Sequence, residues 1–238
     1  LGCAPPSHPS AFGHSFPNHL VAMRNLLTLA LALGLAGAVS AQNPASTVQS
    51  GSGHSILLTQ NPFMNDATVE QSGLDNIADI LQTGDNIADV GQGGTADFVD
   101  IDQDGSGNLA IGLLSTFFTG GGDNDASINQ LGNNNIARVF NDGVNVDGTI
   151  NQTGDDHFAD VVSGASASDV DILATVDQTG TGQTANVGQG GVSQLSTITQ
   201  SNSGNEADVS QSGEGNLSTI VQTGTNGLAI TGDGGTRQ

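Results

Sequence analysis

The sequence predicts an all-β protein, a two-sheet parallel β-solenoid with amyloid-like cross-β stacking and about eight 22-residue strand-turn-strand coils. Three observations support this fold class. Gln recurs every 11 residues along most of the chain, apolar residues alternate with polar ones ahead of each Gln, and Gly commonly stands two residues after it. With 35% hydrophobic and 3% aromatic residues, the chain has too few bulky side chains for a large globular core.

Charge and cysteine content narrow the function classes before any motif is considered. The formal net charge of −21 disfavours nucleic acid as a partner, and no membrane insertion of the mature chain is expected. Cys3 is the single cysteine, so an intramolecular disulfide is excluded. A disordered chain rich in Gly, Asn and Gln is an alternative on composition, but disorder gives no reason for the regular spacing.

The first element of the chain is an apolar run at residues 26–39. It is too short to span a bilayer as a helix, which takes about 20 residues. Met23 and Arg24 precede the run and small residues end it at Ala41, so residues 23–41 are predicted to be a secretory signal peptide. Residues 1–22 are then interpreted as an over-extended N-terminus, and residues 42–48 as a short N-terminal tail.

A repeat array is predicted at residues 49–230, followed by a C-terminal tail at 231–238. Longer intervals from 114 to 130 and from 163 to 178 are expected to carry loops on the repeat scaffold. The anchor position of each repeat is Gln49, Gln60, Gln71, Gln82, Gln92, Gln103, Gln130, Gln152, Gln178, Gln189, Gln200, Gln211 and Gln222, with Leu114, Asn141 and Ser163 in the three slots where Gln is replaced.

Each repeat is predicted to form one strand and one tight turn. A β-branched residue stands two positions before the anchor, a small residue four before and Asn or another polar residue six before, as in Asn76, Ala78 and Ile80 ahead of Gln82. Residues two apart share one face of a strand, so these side chains are expected to face inward. Two such strands back to back bury each other's inner face, and successive coils then stack in parallel about 4.8 Å apart.

The inner Gln and Asn side chains are predicted to form stacking ladders. An amide that donates to the coil on one side and accepts from the coil on the other is satisfied although it is buried. The predicted ladder and polymerisation residues are Gln60, Gln71, Asn76, Gln82, Gln103, Asn108, Gln130, Asn135, Gln152, Gln178, Gln189, Gln200, Asn205, Gln211, Asn216 and Gln222.

The spacing Q-x-G-x-x-N-x-A-x-x-x-Q, intact at residues 71–82 and complete from Gln103 through Ala110, resembles the curlin repeat of curli fibre subunits. Those subunits, of major or nucleator type, are secreted bacterial proteins that form functional amyloid. The resemblance implies a self-assembling extracellular fibre, a fimbrium or pilus on the cell surface, that acts in adhesion and biofilm matrix. It also implies three partners: further copies of the chain, a curli nucleator and an outer-membrane secretion channel.

The ends of the array are predicted to be its functional surfaces. No capping helix, proline or charge cluster follows Gln222, so the terminal strand edges are expected to template the next copy. Asp79, Asp89, Asp160 and Asp208 are expected to face solvent. They either keep the chain soluble or act as gatekeepers that slow premature fibre formation.

Neither an enzyme nor a cofactor or metal site is predicted, because a filled solenoid offers no pocket for catalysis. His54 and His157 occupy the Asn position and are interpreted as structural substitutes. The alternative function is a monomeric β-solenoid adhesin or a calcium-binding β-roll-like surface protein, since residues 120–125 resemble one β-roll turn. Thr197 and Thr199 alternate as in ice-binding strands, but threonines are not expected to recur down a face.

Overall fold

A computed structural model describes residues 43–61, 64–114, 122–164 and 169–236 of the chain. These ranges contain only strands, turns and bends, with no helix among them. Accordingly, nothing in the described ranges is a helix long and apolar enough to cross a membrane. The predicted signal peptide and the predicted over-extended N-terminus lie outside the described residues.

The strands divide into two sheets, here called sheet A and sheet B. Sheet A contains β1, β3, the second halves of β4 and β5, β7, β9, β11, β13 and β15, and sheet B contains β2, the first halves of β4 and β5, β6, β8, β10, β12 and β14. The bounds are β1 Ala45–Ser52, β2 Ser55–Asn61, β3 Asp66–Leu74, β4 Ile77–Gln92, β5 Phe98–Leu114, β6 Asp125–Asn133, β7 Ile136–Asn141, β8 Val144–Asp155, β9 Phe158–Ser163, β10 Val170–Thr181, β11 Thr184–Val192, β12 Leu195–Ser203, β13 Glu206–Glu214, β14 Leu217–Gln222 and β15 Leu228–Thr236.

Each strand pairs in parallel with the strand one coil away in the same sheet. Gln49 is opposite Gln71 in sheet A, and Gln60 is opposite Gln82 in sheet B, a separation of 22 residues in each case. Gln103 is opposite Gln130, so the longer interval leaves the register of the anchors unchanged. The predicted parallel β-solenoid of about eight coils and about 22 residues per coil is therefore confirmed.

The inner β-branched and small residues form a thin core between the two sheets. Ile80, Val90 and Val209 are at most 1% exposed, and Ile220, near one end, is 5% exposed. Burying one such side chain stabilises the fold by about 1.5–3 kcal/mol. The predicted inward orientation of this position is confirmed along the array.

The first and last strands extend beyond the range predicted for the array. β1 begins at Ala45 rather than at the first anchor, and β15 continues past residue 230 to Thr236, paired throughout with β13. Much of each predicted tail is therefore part of a terminal strand.

The arcs between strands contain two positions with positive φ. Gly132, two residues after its anchor, has φ +125°, and a Cβ there would lie 1.9 Å from the carbonyl oxygen of Gly154 in the next coil. Only glycine fits so close to a neighbouring backbone. The second position, four residues after the anchor, was missed by the sequence analysis although it holds residues tolerant of positive φ, such as Asn134, Asp156 and Gly182.

Threonines do recur on the outer face of sheet B, so the expectation that they would not is wrong. Thr149, Thr175, Thr197 and Thr219 occupy one register position in consecutive coils. The extra residues between 163 and 178 place Thr149 and Thr175 26 positions apart, but Thr175, Thr197 and Thr219 recur at the regular 22-residue interval, a signal that was present in the sequence.

Candidate functional site: amide ladders and open strand edges

Sheet B contains an unbroken ladder of glutamine side chains. In every step the Nε2 of one Gln donates to the Oε1 of the Gln in the following coil, over 2.8–3.0 Å. All donors point the same way along the solenoid, so the ladder has a direction. Its members are Gln60, Gln82, Gln103, Gln130, Gln152, Gln178, Gln200 and Gln222.

The second Nε2 hydrogen of these glutamines bonds to the backbone of the opposite sheet. Gln82 donates to the carbonyl oxygen of Asp66 at 3.2 Å, and Gln200 donates to that of Thr184 at 3.0 Å. One side chain thus links neighbouring coils and also the two sheets. Glutamate lacks these donors, and asparagine is one methylene shorter, so the position favours Gln.

The ladder of sheet A is interrupted. Gln71 donates to Gln92 at 2.7 Å, and Gln189 donates to Gln211 at 3.0 Å, but the slots between them hold other residues. Leu114 is fully buried and cannot donate, whereas Asn141 donates to the carbonyl oxygens of two strand residues instead of to an amide. The structure therefore brings the predicted ladder glutamines together in both sheets, but the ladder is continuous only in sheet B.

The asparagines join coils in a different way from the predicted amide-to-amide stacking. Asn76 Oδ1 accepts the backbone N–H of Asp97, and Asn108 Oδ1 accepts that of Asn135, each over 3.0 Å between neighbouring coils. The Nδ2 group donates to backbone carbonyls of the arcs, as Asn76 does to Ser72. The Asn side chain therefore replaces a backbone acceptor where the arc leaves the regular strand ladder.

Asn216 differs from the other described asparagines at this position. Its Nδ2 donates to the carbonyl oxygen of Ser212 at 2.7 Å, but its Oδ1 has no hydrogen-bond partner although the side chain is 2% exposed. The residue lies just before β14, the last strand of sheet B, and no described coil follows there to supply a backbone N–H. The corresponding oxygen of Asn205 in sheet A accepts the N–H of Gly227.

The four possible gatekeepers do not form a stack with one another. Asp89 and Asp208 are exposed, whereas Asp79 and Asp160 are half-buried. Asp79 lies opposite Asp100, whose pKa is raised by burial first and by the charge of Asp79 second.

Asp160 has an ion-pair partner that the sequence analysis did not anticipate. Its Oδ2 lies 3.1 Å from Nη2 of Arg138 in the neighbouring strand. Burial raises the pKa of Asp160, and the guanidinium opposes that rise. Its negative charge is thus partly compensated, in contrast to that of the exposed aspartates.

Asp97 is a buried carboxyl group that the sequence analysis missed. It occupies an Asn position and is fully buried, with one oxygen accepting the N–H of Gly94 and the other that of Asn124. Burial raises the pKa of Asp97 to about 6. An acidic residue in an otherwise amide position was the available sequence signal.

The two histidines take the place of Asn residues, as interpreted from the sequence. His157 is buried, with Nε2 3.2 Å from the carbonyl oxygen of Thr153, and burial lowers its pKa. Among the described residues, no group of three His, Cys, Asp or Glu side chains is placed to hold a metal ion. Residues 120 and 121 of the β-roll-like run lie outside the described ranges.

Strand edges at both ends of the solenoid are open within the described part of the chain. At one end β1 pairs only with β3 and β2 only with β4, and at the other β14 pairs only with β12 and β15 only with β13. All eight residues of β1 are exposed. Such edges present unpaired backbone donors and acceptors that another strand can bind.

Comparison with known protein families finds a match to part of the repeat array. Residues 203–230 match the family model of the curlin associated repeat. No curated protein matches the chain. The matched segment covers β13, β14 and the start of β15, and the earlier coils repeat its register and its glutamine contacts.

Proposed function

We propose that this chain, which carries the curlin associated repeat of curli-type structural proteins, is a secreted subunit that self-assembles into extracellular fibres. The fibres would act in adhesion and as biofilm matrix, on the cell surface. The subunit type, major or nucleator, is left open by the repeat.

The observation that carries this proposal is the chemical complementarity of the two open ends. At the N-terminal end, the Oε1 atoms of Gln49 and Gln60 accept no hydrogen bond from another described ladder residue. At the C-terminal end, Nε2 of Gln222 donates to the carbonyl oxygen of Glu206 and to no further amide. Joining unlike ends continues the strand pairing and brings one Oε1 acceptor of the next copy to Gln222, whereas the last strand of sheet A has Asp233, not Gln, opposite Gln211. Such a head-to-tail contact does not close, so it generates a filament.

Fibre formation by the purified protein tests the proposal. We expect unbranched fibres in electron micrographs, a thioflavin T signal and a meridional reflection at about 4.8 Å from the strand spacing. A protein that sediments as a monomer after prolonged incubation and gives none of these signals would contradict it. Calcium-dependent circular dichroism of such a monomer would instead favour the β-roll-like surface protein.

Export is a separate part of the proposal. Residues 23–41 would direct secretion and be removed after Ala41, and the outer-membrane curli channel and a curli nucleator would act as partners. Mass spectrometry of the extracellular protein is expected to find Gln42 at its N-terminus. Secretion that is unchanged when the channel is deleted would exclude the channel as a partner.

A further inference from the structure

The solenoid contains an odd number of strand layers in its described part. Sheet A has nine layers and sheet B has eight, so the array both begins and ends in sheet A. β15 therefore stands one layer beyond β14, and the C-terminal end of the described array is a step. The upper edge of β14 is open beside that step.

A buried hydrogen-bond acceptor lies next to the open edge of β14. Asn216 Oδ1 has no partner, whereas in Asn76, Asn108 and Asn205 the same oxygen accepts a backbone N–H from the following coil. A buried polar atom left without a hydrogen bond costs about 1–3 kcal/mol. Gln183 Oε1 and Gln194 Oε1 at the same repeat position are also unpaired although a coil follows each of them, so it is the open edge of β14, and not this oxygen alone, that indicates room for one more strand.

We propose that successive copies of the chain stack end to end with a half-turn about the solenoid axis, so that β1 of one copy pairs with β14 of the copy before it, and β2 pairs with β15. This inference rests on the proposed self-assembly and specifies its geometry. Because β1 then lies in the position of sheet B, the two sheets exchange roles from each subunit to the next.

The register of the array determines which residues meet in this joint. Aligning the anchors brings Gln49 of the second copy over Gln222 of the first, so that Gln222 Nε2 gains the Oε1 acceptor that it lacks. The backbone that enters β1 then passes over Asn216 Oδ1, which requires a donor from that side. Inside the joint, Thr47 lies over Ile220, in the position of the β-branched core residues.

Two other ways of joining ends leave these groups without partners. Without rotation, β1 pairs with β15, and the edge of β14 and Asn216 Oδ1 remain open inside the joint. Joining two C-terminal ends opposes the Nε2 donors of both Gln222 residues, because the ladder has a direction. The half-turn is the arrangement that continues both sheets.

Disulfide trapping in fibres distinguishes the two head-to-tail arrangements. In the half-turn joint, the exposed residues Val48 and Val221 lie opposite each other, about 4.8 Å apart, which a disulfide can bridge. Without rotation, Ser46 and Ile230 take that relationship instead, since both face outward. The full-length chain with Cys3→Ser is therefore combined with either V48C/V221C or S46C/I230C, and fibres grown in reductant are then oxidised.

We expect the V48C/V221C fibres to yield covalent multimers on a non-reducing gel and the S46C/I230C fibres to yield monomers. The reverse result, or fibres in which neither pair is linked, would overturn the half-turn joint while leaving self-assembly intact. A chain that forms no fibres at all would overturn both proposals. In fibre images, the half-turn joint also gives a subunit repeat of about 41 Å, because each half-coil rises by about 2.4 Å.

Discussion

Replacing Gly132 by alanine is expected to lower the free energy of unfolding by about 3–5 kcal/mol. Its φ of +125° is a glycine conformation, which costs another residue about 1–3 kcal/mol. The new Cβ would also lie 1.9 Å from the carbonyl oxygen of Gly154, so the two coils must separate by about 1.5 Å to reach ordinary contact. That separation weakens at least two flanking backbone hydrogen bonds, each worth about 1 kcal/mol.

Two matched substitutions separate the causes of this loss. Gly182 has φ +63°, but no atom lies within 4 Å of the place that an added Cβ would take, so Gly182→Ala is expected to cost only the backbone strain of about 1–2 kcal/mol. Gly188 lies in β11 without a positive φ, and the nearest atom to its added Cβ is 3.9 Å away. Gly188→Ala should therefore be neutral or stabilise the fold by about 0.5 kcal/mol.

Urea unfolding followed by circular dichroism measures all three variants, on freshly prepared protein that sediments as a monomer. The expected order of destabilisation is Gly132→Ala, then Gly182→Ala, then Gly188→Ala. If Gly132→Ala and Gly182→Ala lower the free energy of unfolding by the same amount, the close approach of neighbouring arcs does not exclude a side chain at position 132. That result would refute the close stacking of the arcs as the reason for glycine there.

Three further predictions concern side chains. Gln130→Leu breaks the sheet B ladder and leaves buried amide groups unpaired, so urea unfolding should show a free energy of unfolding lower by about 2–4 kcal/mol. The control Leu131→Ser changes an exposed neighbour and should change that free energy by less than about 0.5 kcal/mol. The pKa of Asp97 is raised in the folded state to about 6, so that state holds its proton more tightly and the free energy of unfolding falls as pH rises from about 4 to about 6. Asp97→Asn should make this decrease in the free energy of unfolding smaller by up to about 3 kcal/mol, measured by unfolding curves at several pH values in this range. If the decrease is the same in the wild type and the variant, Asp97 is not its source. Asp208→Asn should shorten the thioflavin T lag time at pH 7 more than Asp160→Asn does, because the charge of Asp160 is already paired with Arg138 whereas Asp208 is exposed. Equal lag times in the wild type and Asp208→Asn would leave Asp208 only a role in solubility.

The inner face of the array could be predicted from the sequence because its cause is local. Alternation with a period of two places Ile80 and its equivalents on one face of any strand, whatever the strand packs against. The 11-residue spacing, repeated along the chain, then allows the faces of neighbouring repeats to meet only if every second repeat stacks in parallel. Those inferences required no knowledge of distant contacts.

The partners of each polar group depended on the stacked coils. Asn76 and Gln82 carry the same amide chemistry, yet the structure pairs Asn76 Oδ1 with a backbone N–H and Gln82 with another amide, because the arc and the strand approach the next coil differently. The pairing of Asp160 with Arg138 likewise comes from strands 22 residues apart.

The sequence by itself determined the strand period, the inward residues and the number of coils, since each follows from spacing along one chain. Only the tertiary structure decided that Asp160 pairs with Arg138, that Thr149 and Thr175 share a column across an insertion, and that the last layer leaves Asn216 Oδ1 unpaired. These features arise from register between residues that are more than 20 positions apart. Such contacts exist only after the coils have stacked, and local pattern does not specify them.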